Sequence, residues 1–145
     1  MAQLLLQLTL GGGLIAVATM LQVLAIAAMM LSAPRVSAFL TPLKVARMGL
    51  VLALCSLWTV VGQSLGVWAW AFSLLWLDAF PDLEEALYFA LSAYTTLGFG
   101  DVLPPKEWRI LGAIIGANGM LGFGLATAAL VEFVGRVRTW PDDLS

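Results

Sequence analysis

Charged side chains cut this 145-residue chain into uncharged stretches of very unequal length. None precedes Arg35, none lies between Arg47 and Asp78, none between Glu85 and Asp101, and none between Arg109 and Glu132, leaving runs of 34, 30, 15 and 22 residues. A hydrocarbon layer of about 30 Å takes roughly 20 helical residues to cross. The first, second and fourth runs can therefore span a membrane, and the third cannot.

The long runs predict three transmembrane helices. The first covers residues 4–31 and is stopped by Ser32-Ala33-Pro34. A loop over 32–46, with Arg35, Pro42 and Lys44, leads to a second helix over 47–77, which Asp78 and Pro81 close. The third covers 109–134, and a tail over 135–145 ends in "PDDLS". The first run has no basic residues ahead of it and is too long for a signal-peptide core, so it is expected to be retained. Basic residues of short loops mark the cytoplasmic side. Five of the seven basic residues, Arg35, Lys44, Arg47, Arg136 and Arg138, lie in the first connection and the tail, while Lys106 and Arg109 do not, and Asp78, Asp82, Glu84, Glu85, Asp101 and Glu107 fall on the opposite side. A multi-pass protein of the plasma membrane is expected, with its N-terminus outside and its C-terminus in the cytoplasm. Both ends of the 15-residue run then face outward, so that segment enters the membrane and returns. Trp68, Trp70, Trp76, Trp108 and Trp140 are expected at the two interfaces, and Trp58 in the core.

Residues 82–95 read as a short re-entrant helix. Pro81 leads in, and Asp82, Glu84 and Glu85 suit the positive helix N-terminus. Its negative C-terminal end then points toward the membrane centre, where a cation is favoured. Thr96-Leu97-Gly98-Phe99-Gly100 follow, and then an outer turn over 101–108. Non-helical backbone is tolerated at this depth only where protein buries it or where it lines water. Turning successive carbonyls to one side needs alternating left- and right-handed residues, and glycine enters the left-handed region without steric cost. Gly98 and Gly100 are spaced for that alternation.

Composition narrows the chemistry further. Hydrophobic residues make up 61% of the chain and charged ones 11%, the latter about half the share in a soluble domain. A lone cysteine, Cys55, excludes an internal disulfide, and with no histidine almost no transition-metal ligands exist. No nucleic-acid motif, GxGxxG or P-loop occurs. No buried titratable group is paired with a nucleophile, so no enzyme is expected. The expected partners are membrane lipids and monovalent cations, not nucleic acid.

The stretch Thr95 to Asp101, "TTLGFGD", resembles the TTVGYGD signature of potassium channels, whose carbonyl rings replace an ion's hydration shell. The similarity runs over residues 82–135. Trp108, Arg109, Gly119, Phe123-Gly124-Leu125 and Thr127-Ala128-Ala129-Leu130 match the inner-helix pattern of small bacterial two-helix channels, with one residue fewer in the outer turn. The resemblance implies an all-α membrane protein. Three transmembrane helices per chain would carry a pore helix and filter loop, assembled as a four-fold homotetramer, since one segment cannot enclose a pore. It implies K+ coordination by the carbonyls of Thr96, Leu97, Gly98 and Phe99, with the Thr96 hydroxyl at the inner end and Gly100 framing the mouth. Bound K+ is the only cofactor it implies. Thr95 would end the pore helix. Asp101 would brace the filter through the aromatic pair Tyr88 and Phe89, with Tyr88 as its candidate partner. Phe99 lacks the phenol of the usual tyrosine, although some two-pore-domain potassium channels also carry phenylalanine, and Leu97 replaces a β-branched residue. The expected function is potassium-selective conduction. A non-selective monovalent cation channel and a non-conducting accessory subunit are the alternatives.

On the last helix, Met120, Phe123 and Thr127 share one face. They are expected to line an inner cavity, with Gly119 as a candidate gating hinge. Gly112 and Gly116 match small-residue helix packing, and Asn118 is expected to make an interhelical hydrogen bond. Glu132 and Arg136 are spaced for a helix-surface pair. The first helix has no counterpart in two-helix channels. It carries Gln3, Gln7, Gln22 and Gly11-Gly12-Gly13, and is expected to pack peripherally on the second helix through those glycines.

Overall fold

A computed structural model describes the backbone at residues 1–38 and 44–138, with side chains at 1–32 and 49–135. Four α-helices follow one another: α1 (Ala2–Ala38), α2 (Lys44–Trp76), α3 (Leu83–Tyr94) and α4 (Arg109–Arg138), the last entered through a 3₁₀ turn at Lys106–Trp108. Stretches of three of them, Ala2–Ser32, Gly49–Trp76 and Lys106–Gly135, are long and apolar enough to cross a membrane. The protein is a multi-pass, all-helical membrane protein. α3, with 12 residues, is too short to cross and dips in between α2 and α4.

Several helix ends differ from the sequence expectation. α1 does not stop at Pro34 but continues to Ala38, and α2 already begins at Lys44, so most of the expected 32–46 loop is helical. A proline removes one helical hydrogen bond and bends a helix, and membrane helices tolerate that loss. α4 likewise runs on to Arg138, into the expected tail. Pro42 in the connection, Trp140 and the acidic "PDDLS" lie outside the described residues, as does the side chain of Arg136 that was expected to pair with Glu132.

Two apolar cores sit at opposite ends of the bundle. The larger holds Val67, Trp70 and Leu74 of α2, Ala86, Ala90 and Tyr94 of α3, and Leu111 and Ile115 of α4. The smaller joins Met29 of α1, Val51 and Cys55 of α2, and Phe133 of α4. Trp70 is fully buried and donates its indole N–H to Asn118 Oδ1 at 2.7 Å. Asn118 thus makes its interhelical bond, but Trp70 is a core residue and not part of an interfacial belt. Trp58 is the reverse case: it is 42% exposed, and its indole N–H donates to the Ala25 carbonyl of α1 at 2.7 Å.

α1 packs against α4 as well as α2, which corrects its assignment as a peripheral partner of α2 alone. Among its described side chains the buried positions are Gln7, Gly11, Ala18, Gln22 and Met29, a stripe that keeps one face inward along the helix. Gln7 Oε1 accepts the Leu111 N–H at 3.1 Å, satisfying a donor in the first turn of α4 that has no helical partner. Gln3 Nε2 donates to the Glu107 carbonyl at 3.3 Å. Only Gly11 of the glycine run makes a close approach, with Ile114 of α4, and Gly12 and Gly13 face open space.

The end of α2 is a Schellman turn. The Ala79 N–H donates to the Leu74 carbonyl and the Asp78 N–H to the Leu75 carbonyl, both at 3.0 Å. That geometry puts the intervening residue in the left-handed region, normally a glycine's place; here Asp78 takes it, with φ 50°. Asp78→Gly is therefore expected to raise stability by roughly 1 kcal/mol, read as a higher midpoint for thermal unfolding in detergent. A lower midpoint would contradict the assignment.

Candidate functional site

α3 is defined at both ends by side-chain hydrogen bonds. Asp82 caps its start, with Oδ1 accepting the Glu85 N–H at 2.9 Å, and Glu84 and Glu85 occupy the first turn, where negative charge is favoured. At its end, the Thr95 N–H and Thr95 hydroxyl both bond to the Leu91 carbonyl, at 3.0 and 2.7 Å, and the Thr96 N–H bonds to Ala93 at 3.0 Å. One flank of α3 rests on the glycines of α4. A β-carbon at Gly112 would lie 2.8 Å from the Phe89 ring, one at Gly116 would lie 3.4 Å from the Ala93 carbonyl, and one at Gly119 would overlap the Tyr94 carbonyl.

Beyond Thr95 the backbone stops coiling and alternates in handedness. Thr96, Gly98 and Gly100 have φ of 61°, 57° and 79°, while Leu97 and Phe99 between them do not enter the positive region. Such alternation turns successive carbonyls to one side. It leaves the amides in need of acceptors, and Ser92 supplies two: its carbonyl accepts the Gly98 N–H at 3.2 Å, and its hydroxyl accepts the Phe99 N–H at 3.4 Å. Residues 96–100 are exposed along their whole length, with Leu97 at 63% and Phe99 at 67%.

At the outer end, the Tyr88 hydroxyl donates to Asp101 Oδ2 at 2.7 Å. Asp101 Oδ1 also accepts the Val102 N–H at 3.1 Å. The Tyr88 bond holds the Asp101 carboxyl below the usual carboxylate range and pushes the Tyr88 phenol up. Phe89 lies elsewhere: it stacks at a tilt on Phe80, with centroids 5.2 Å apart, and packs on Gly112. On α4, Gly119 faces α3, whereas Met120, Phe123 and Thr127 lie exposed, with the Thr127 hydroxyl donating to the Phe123 carbonyl at 2.9 Å. Nothing in the sequence marks Ser92, one small polar residue in an apolar helix, as the acceptor for the Gly98 and Phe99 amides. Nor does it mark Thr96 as left-handed, because a β-branched residue is an outlier there.

Ser92→Ala deletes the acceptor of the Phe99 N–H but keeps the Ser92 carbonyl. Amide exchange at Phe99 is expected to accelerate about threefold to tenfold, with exchange in the helix interiors unchanged. A second expectation concerns pH. Because the folded-state pKa of Asp101 is depressed, its contribution to stability is complete above the ordinary carboxylate pKa of about 4. It is lost only as pH falls through the lower folded-state value. The stability difference between the native chain and Asp101→Asn should therefore stay flat from neutral pH down to about 5 and close only in stronger acid. A difference that changes across neutral pH would contradict the pairing.

A short capped helix, a following backbone of alternating handedness and a carboxylate bonded to that helix are the parts expected of an ion-conducting loop. No solved structure matches the chain. A family model described as "Ion channel" matches residues 50–136, more than half of the sequence, covering most of α2, all of α3 and most of α4. The chain belongs to this ion-channel family.

Proposed function

We propose that the protein is a potassium-selective channel, a four-fold homotetramer in the plasma membrane that passes K+ down its gradient. The observation that carries the reading is the sign alternation of φ from Thr96 to Gly100, which suits a ladder of carbonyls facing one axis. Dehydrated K+ would sit between the carbonyls of Thr96, Leu97, Gly98 and Phe99, with the Thr96 hydroxyl at the inner end, and repulsion between occupied sites would keep exit fast. The C-terminal end of α3 adds negative potential below the filter.

Exposure supports assembly. Leu97 and Phe99, together with Met120 at 69% and Phe123 at 44%, leave apolar surface along the filter and the inner helix of a single copy. Grooves of about 370 and 430 Å³ flank α3, and neighbouring copies around a four-fold axis would cover them. The basic first connection and tail support an N-terminus outside and a C-terminus in the cytoplasm.

Purified protein in liposomes is expected to carry a barium-blockable K+ flux, with a reversal potential in mixed K+ and Na+ close to that of K+. Equal permeability would select the non-selective cation reading, which the missing phenol at Phe99 favours, and absence of flux would select the accessory-subunit reading. Gly98→Ala forces a β-carbon into the left-handed region at roughly 1–2 kcal/mol and is expected to abolish the flux or its selectivity. Unchanged currents would remove the carbonyl-ladder mechanism.

A further inference from the structure

Between the two apolar cores lies a buried polar cluster to which all four helices contribute. Tyr94, the last residue of α3, is 2% exposed, and its hydroxyl donates to Gln63 Oε1 of α2 at 2.9 Å. Gln22 of α1, 3% exposed, donates through Nε2 to the Gly122 carbonyl of α4 at 2.6 Å. The space where a Gly122 side chain would stand is closed by three oxygens: a β-carbon there would meet Tyr94 Oη at 2.6 Å, Gln22 Oε1 at 2.8 Å and Gln63 Oε1 at 2.8 Å. The Tyr94 ring also meets Phe123 edge-on, with centroids 6.1 Å apart, and its hydroxyl would lie 3.0 Å from a β-carbon at Gly66.

We propose that Gln22 and Gln63 are positioning residues of the filter, acting through Tyr94, which makes α1 a working part of the ion pathway. The proposal rests on the channel reading above. Tyr94 stands two residues before Thr96, where the backbone first turns left-handed, and its carbonyl is seated on Gly119. With its hydroxyl held by α2 and its ring and carbonyl by α4, the end of α3 keeps one height and one rotation, and Thr96 inherits both. Buried polar groups cost free energy unless paired, so these side chains are poor candidates for filler. Gln63 Nε2 has no partner among the described residues; Gln63 is held for its oxygen, which receives the Tyr94 hydroxyl.

Plain interhelical glue is the competing role, and Gln7 provides the comparison. It is equally buried at 3% and also bonds α1 to the α4 backbone, but at Leu111, away from Tyr94. The experiment is hydrogen exchange of segment 96–100 in the full-length protein in nanodiscs, alongside thermal unfolding and liposome flux. Gln22→Leu and Gln63→Leu are expected to speed exchange of that segment about tenfold and to lower K+ over Na+ selectivity. Gln7→Leu should lower the unfolding temperature without moving filter exchange. Tyr94→Phe should behave like Gln63→Leu, and the double variant should be no worse than either single one, because each removes the same bond. The proposal is overturned if Gln22→Leu leaves filter exchange unchanged, or if Gln7→Leu speeds it equally. Wild-type protein that carries no K+ flux would defeat the channel reading alone, because the exchange measurement still reads the coupling.

Discussion

A backbone that turns its carbonyls to one side cannot hydrogen-bond to itself, and its amides must find acceptors elsewhere. Everything around residues 96–100 answers that constraint. Two of the amides go to Ser92, one to its carbonyl and one to its hydroxyl. Ser92 can serve only if α3 is held still. The Asp82 cap holds the start of α3, and the doubled bonds to Leu91 hold its end. Thr96 is left-handed despite its branched side chain, a conformation that persists only where the surrounding structure holds it.

The α4 glycines acquire a definite meaning from the same constraint. Glycine in a helix interior costs up to about 1 kcal/mol relative to alanine, and α4 accepts that cost repeatedly. Gly112 and Gly119 let Phe89 and the α3 backbone approach more closely than a β-carbon would permit, Gly116 stands at ordinary contact distance from Ala93, and Gly122 leaves room for three oxygens. Gly119, singled out in sequence as a candidate hinge, is buried against the Tyr94 carbonyl. Close approach alone is enough to require glycine there. Any bending of α4 at that point would also move the seat of Tyr94.

Much of this architecture is legible in the sequence because membranes impose coarse rules. The gaps between charges give the number of spans, and the 15-residue gap gives the re-entrant segment. The acidic start of α3 and the spacing of Gly98 and Gly100 are local signals with direct physical causes. Resemblance alone suggested that Tyr88 faces Asp101; the 2.7 Å bond between them came from the structure. What stayed hidden depends on long-range packing. Trp70 looks interfacial by position but is enclosed by α3 and α4. Gln7 and Gln22 could not be placed because lipid favours the apolar face outward, so the inward stripe of α1 is partly polar and gives no amphipathic signal of the familiar sign. Pro34 reads as a stop, yet helical backbone continues through it.

The glutamines of α1 also bear on how such a chain is made. Gln22 and Gln7 find their partners 100 and 104 residues further along the chain, in the last helix. During synthesis from the N-terminus, α1 reaches the bilayer while Gly122 and Leu111 are still untranslated. Two primary amides must then wait in hydrocarbon, or at its edge, until α4 arrives. The pairing of α1 is thus left incomplete until α4 is in place.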